Sequence, residues 1–131
     1  MSESPQVPQS VIDLAKAIAH AEGFGVKGAV PTRAHNPGDL KIPNWTGAVT
    51  GTEGITVFPD DETGWNALYK QLLRIKNNQS HVYTLNLTFW QFAFHWTDTQ
   101  GMTWLDNVIY KLNELGHNVT KDSTLSDYFN S

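Results

Sequence analysis

Val11, Leu14, Ala15 and Ile18 recur at the spacing of one helical face, and Glu22 falls four residues after Ile18 on that same face. The run Gly23-Phe24-Gly25 follows at once and must end the helix. This is the tightest constraint the chain carries: an amphipathic helix whose buried stripe closes on a carboxyl. Ser10 can cap its start, with Asp13 three residues on, and Asp13, Lys16 and His20 share a polar face. A carboxyl in Glu22's place is desolvated by the core and lies at the negative end of the helix dipole. Both effects oppose ionisation and raise its pKa. A general acid needs this near neutral pH, as in glycoside hydrolysis, where the leaving oxygen must be protonated. Periodicity alone leaves open a frayed last-turn glutamate in solvent.

The chain has 131 residues, 40% of them hydrophobic and 11% aromatic, enough for one core without staples. We expect a Pro- and Ser-rich arm over residues 1–9 and a single domain over residues 10–131. The absence of Cys excludes disulfides and thiolate metal sites and leaves the compartment open. A net charge of −4 argues against nucleic acid, which calls for a basic stripe. No stretch is long or apolar enough to span a bilayer. Residues 1–9 have neither a basic start nor an apolar centre, so no signal peptide is expected and localisation is unknown.

After Glu22 comes a Gly/Pro-rich connection from Gly23 to about Gly54, containing Pro31, Asn36-Pro37-Gly38 and Pro43-Asn44-Trp45-Thr46-Gly47. A loop of this length inside a compact domain usually serves function. Ile55-Thr56-Val57-Phe58 alternates as a short strand and is expected to pair with the segment from Trp45 to Val49. Pro59-Asp60-Asp61 opens a helix through about Lys76. There Trp65, Leu68, Leu72 and Ile75 form one stripe, Tyr69 and Leu73 widen it, and Asn66, Lys70 and Arg74 face water. A face that wide predicts the central helix. Thr88 can cap an aromatic helix holding Phe89, Trp90, Phe92, Phe94 and Trp96. A further helix from about Met102 buries Leu105, Val108, Ile109, Leu112 and Leu115 and stops at Gly116. A last short turn follows Asp122-Ser123. The class is mainly α (α+β), with one small β-hairpin beside the long loop.

Other motifs carry less. Gly23-Phe-Gly25-Val-Lys-Gly28 fits G-x-G-x-x-G but follows a helix rather than a strand. The His residues at 20, 35, 81, 95 and 117 lack ligand spacing, so neither a metal nor a cofactor is expected. No G-x-S-x-G occurs. Asp60-Asp61-Glu62 reads as helix capping. Trp90, Phe92, Phe94 and Trp96 read as core, though one exposed edge could stack on a pyranose.

The segment Ala17-Ile-Ala-His-Ala-Glu22-Gly-Phe, then Arg33-Ala-His-Asn36-Pro37-Gly38-Asp39-Leu40, then Phe58 and Gly64-Trp-Asn-Ala67-Leu68, resembles the lysozyme-like superfamily. The superfamily includes goose-type lysozymes, soluble lytic transglycosylases and small bacterial and phage domains. Asp106-Asn107-Val108-Ile109-Tyr110 is similar to the Asn- and Tyr-bearing helix of lytic transglycosylases. The resemblance covers most of residues 10–125. It implies a lysozyme-like fold with Glu22 as catalytic acid. It also implies a peptidoglycan glycan strand as substrate, cut at the β-1,4 bond between N-acetylmuramic acid and N-acetylglucosamine. Asn36 would line the groove and Tyr110 would approach Glu22. Arg33 and His35, in the same motif, are further substrate-binding candidates. Related sequences generally show Asn-Pro-Gly-Asn, whereas Asp39 stands in the fourth place here.

Mechanism turns on a second carboxylate. An inverting hydrolase holds a water between carboxyls about 6.5–9.5 Å apart, and a retaining one places a nucleophile about 5–5.5 Å away. Asp39 and Glu53 are the candidates. If neither reaches the site, Glu22 acts first as acid and then as base while the sugar's 6-hydroxyl attacks, leaving a 1,6-anhydro end. We lean towards this transglycosylase chemistry. Trp45 is expected to stack on a sugar ring or to plug the core beneath the loop. A monomer is expected. The rivals are a non-catalytic virion or wall-binding protein on the same fold and an enzyme acting on chitin.

Overall fold

The structure, a computed structural model, describes residues 7–42, 45–97 and 101–130. It is mainly helical with a small two-stranded antiparallel sheet. Residues 1–6 of the expected arm, and Pro43-Asn44 of the loop motif, lie outside the described residues.

Helix α1 (Gln9–Glu22) begins one residue before the expected cap. Pro8, not Ser10, stands at the N-cap; its carbonyl accepts the first helical bonds from Val11 and Ile12. The Ser10 carbonyl instead accepts the hydroxyl of Tyr128 at 2.5 Å. At the other end Gly23 adopts φ 82°, which a glycine tolerates without strain, and Phe24 N–H returns to the Ala19 carbonyl at 3.0 Å. Asp13 does not share the polar face with Lys16 and His20: it is 6% exposed, accepting from His117 Nε2 at 2.7 Å and from Gln9 at 2.8 Å. Burial acts to raise its pKa, but the hydrogen bonds from His117 and Gln9 outweigh this and hold it below the ordinary value. A partner 104 residues away is invisible to periodicity.

Within the Gly/Pro-rich connection the chain forms a single helical turn, α2 (Val30–Arg33), with Pro31 in its first turn where a missing N–H costs nothing. Strands β1 (Val49–Thr50) and β2 (Thr56–Val57) pair antiparallel, with Val49 opposite Val57 and Thr50 opposite Thr56. The pairing thus uses only the far end of the expected segment and extends past Val49. The other edge of β2 is tied to the preceding loop, Thr56 N–H to the Leu40 carbonyl and Phe58 N–H to the Ala34 carbonyl, each 2.9 Å.

Helix α3 (Asp61–Lys76) is capped by Asp60, whose carboxylate accepts from Thr63 N–H at 2.8 Å. Leu68, Leu72 and Ile75 are fully buried, while Trp65 is half-buried against Phe24. Helix α4 (Phe89–Trp96) has the expected Thr88 cap, completed as a capping box by Gln91. Helix α5 (Gly101–Glu114) and the short α6 (Leu125–Phe129) complete the body. Helix α1 packs against both α5 and α3, and α3 in turn packs against α1 and α6. The small residues Ala15, Ala17 and Ala19 of α1 are buried and let its neighbours approach closely. Phe92 is core and Trp96 half-buried, but Trp90 and Phe94 are exposed and pack on each other, with ring centroids 5.0 Å apart. No helix among the described residues is long and apolar enough to cross a membrane.

Candidate active site

Glu22 is the last residue of α1, and its stripe carries it to the rim of the core rather than into bulk solvent. It lines a cleft of about 510 Å³ together with Asp39 and Glu53. The three carboxylates singled out in the sequence therefore converge. Tyr83, His95, Trp96 and Thr97 are among the cleft's other lining residues, as are Lys41 and Gln71.

Burial pushes the Glu22 carboxyl from 4.5 up to about 7, and the negative charge of Asp39 adds to the rise. The indole N–H of Trp104 opposes it, donating to Glu22 Oε2 at 3.0 Å. Trp96 also opposes it. The Trp96 indole N–H also donates to the Gly38 carbonyl, at 3.2 Å.

Asp39 sits on the Asn-Pro-Gly-Asp turn with φ 54°, a conformation that Asp and Asn tolerate better than most residues. Its pKa is raised, by burial first and by Glu53, against the pull of Lys41. Among the described residues, its Oδ1 is buried without a hydrogen-bond partner. Glu53, at φ 56° in the turn between β1 and β2, is exposed at the cleft mouth.

The other sequence candidates are not brought to this cleft. Asn36 is 0% exposed and fully engaged inside the turn: its amide donates to the Leu40 carbonyl at 2.9 Å and the Thr56 carbonyl at 2.8 Å, and its oxygen accepts from Leu40 N–H. It builds the groove wall instead of lining it. Trp45 packs edge-on against Phe58, with centroids 5.6 Å apart and Lys70 Nζ 5.7 Å from its ring, which is the plug and not the platform. Arg33 donates to the Gly28 carbonyl, and His35 pairs with Asp61 at 2.8 Å. Both stabilise the loop. Tyr110 does not approach Glu22. It is 61% exposed, with its hydroxyl on Glu114. It lies six residues past Trp104, about 240° round the helix, so the residue facing Glu22 from α5 is Trp104.

Trp104, Tyr83, Gln71 and Lys41 carry no site assignment from the sequence, while Trp96, read there as core, and His95, set aside for lack of ligand spacing, line the cleft. For Trp104 a signal existed: four residues before Val108 it extends the apolar stripe, and a buried indole N–H requires an acceptor. Tyr83, Gln71 and Lys41 carry no pattern of their own.

The arrangement joins a carboxyl protonated near neutral pH to a second carboxylate in one cleft, flanked by aromatic and amide side chains. No group of three or more His, Asp or Glu among the described residues is placed to hold a metal. No protein-family model, curated protein or solved structure matches the chain.

Proposed function

We propose that this chain is a lysozyme-like, peptidoglycan-cleaving muramidase with Glu22 as general acid. The observation that carries the reading is the Glu22 carboxyl, held up to about 7 by burial and by Asp39 in an open cleft. A carboxyl in that range keeps its proton at working pH and still gives it up readily, which is what a glycosidic leaving oxygen requires.

The preference for transglycosylase chemistry rested on there being no second carboxylate at the site. Asp39 lines the same cleft and its charge reaches Glu22, which favours hydrolysis. In that course Glu22 gives its proton to the glycosidic oxygen as the bond from the anomeric carbon breaks. A water attacks the anomeric carbon and its proton passes to Asp39. Tyr83 offers an aromatic ring for a sugar, and Gln71 an amide for its N-acetyl or hydroxyl groups.

Mass spectrometry of peptidoglycan digested with the purified protein tests this. Muropeptides with reducing ends support the two-carboxylate hydrolase. Ends lighter by one water return the transglycosylase, with Glu22 in both roles. An intact wall together with clearing of colloidal chitin moves the substrate to an N-acetylglucosamine polymer, and no cleavage of either leaves a binding protein.

A further inference from the structure

Glu22 and Asp39 reach the cleft from unrelated places, one at the end of a helix and the other on a loop turn. The turn is braced on its inner side by the Asn36 hydrogen bonds and by its contact with α3 at Gly64. What joins the two carboxyls lies behind: Trp104 donates to Glu22 Oε2 at 3.0 Å, and Trp96 donates to the carbonyl of Gly38, the residue before Asp39, at 3.2 Å. The two indoles are stacked, with centroids 6.1 Å apart and planes 24° from parallel. Both rest on Phe92, and Tyr83 closes on Trp96 from the outer side.

We propose that the stacked indoles of Trp96 and Trp104 are a spacer that sets the separation of the two cleft carboxyls, Trp104 holding Glu22 and Trp96 holding the turn that carries Asp39. An indole suits this work because it is large and stiff, with only two side-chain torsions to fix, and carries a single directional N–H. Displacing a reacting group by about 1 Å can cost a hundredfold in rate, so a rigid spacer between two independently mounted carboxyls matters to turnover. That consequence rests on the muramidase reading, while the spacer itself is tested by titration alone. Trp96 and Trp104 are positioning residues, since each acts through a group other than the reacting atoms.

The charged and titratable groups lining the cleft with Glu22 are Asp39, Lys41, Glu53, Tyr83 and His95. Glu22 is followed by carboxyl-carbon NMR in the wild-type chain, in Asp39→Asn, in Trp96→Phe and in the double variant. Asp39→Asn is expected to lower the Glu22 midpoint. With Trp96→Phe the turn loses its tie to the stacked indoles, and the same substitution is expected to lower the midpoint by measurably less, because the interaction falls with distance. An equal drop in both backgrounds overturns the spacer.

Trp104→Phe is expected to raise the Glu22 midpoint, since a donor to the ionised form is lost. A measurement on the unaltered core stands beside these variants. The Trp104 indole N–H resonance of the wild-type chain should move with the Glu22 midpoint near neutrality and stop moving in Glu22→Gln. A resonance flat through that range overturns the proposal. A chain with the expected couplings and no wall cleavage supports the spacer and overturns the muramidase reading.

Discussion

Asp39 and Glu22, seventeen positions apart in the sequence, face one cleft closely enough for the charge of Asp39 to help hold the proton on Glu22. Burial is the larger cause of the raised pKa, and Asp39 adds to it. In the proposed hydrolysis the carboxylate that accepts a proton from water is also one that keeps its neighbour protonated and so able to donate.

Glu22→Gln is therefore expected to cut wall cleavage by about a hundredfold to ten-thousandfold, the usual worth of a positioned general acid. The measurement is turbidity clearing of purified cell wall. A variant keeping a large share of activity removes Glu22 from the chemistry.

The same substitution is expected to change stability in a pH-dependent way. Unfolded, Glu22 loses its proton near 4.5, and folded near 7, so between these values the folded chain binds the extra proton and stability falls as pH rises. Above 7 the cost of the buried charge is fully present, at most about 3 kcal/mol for a rise of this size. Urea midpoints of Glu22→Gln and wild type should thus agree at about pH 4 and diverge in favour of the variant at about pH 8. Equal stability at both pH values would place Glu22 in solvent.

Activity should decline as pH rises through about 7, when Glu22 loses its proton. Asp39→Asn removes one cause of the raised value, so whatever activity survives should lose its alkaline limb at lower pH. A limb that stays in place separates the two carboxyls electrostatically.

The two cleft acids beside Glu22 should differ in weight. Asp39→Asn is expected to be nearly as damaging as Glu22→Gln, because the attacking water then has no base. Glu53→Gln, at the exposed mouth, should keep most activity. A fully active Asp39→Asn variant that forms anhydro ends would restore the transglycosylase.

Asn36→Ala and Gly64→Ala should act on folding rather than on binding. Asn36→Ala leaves the Leu40 N–H and the Leu40 and Thr56 carbonyls short of a buried partner, a loss of about 3 kcal/mol. A Cβ at Gly64 would overlap the His35 carbonyl where the turn lies on α3, so Gly64→Ala should destabilise by a similar amount, about 3 kcal/mol. Thermal unfolding checks both. An Asn36→Ala variant of unchanged stability and weakened chitooligosaccharide affinity would return Asn36 to substrate binding.

Periodicity was enough to establish the helical stripes, the Thr88 cap and the stop of α1 at Gly23, because these depend on neighbours within one or two turns. It also placed Glu22 on the core-facing side of its helix, and Asp39 and Glu53 stood out as the acids of the loop and β region, Asp39 through the resemblance. Tertiary structure alone decided what those carboxyls meet. The indole that holds Glu22 is 82 residues away, the one that holds the Asp39 turn comes from another helix, and the partner that buries Asp13 lies 104 residues on. The same limit misassigned Asn36 and Tyr110. A side chain's hydrogen bonds and desolvation depend on what packs over it, and packing between distant segments leaves no period in the sequence.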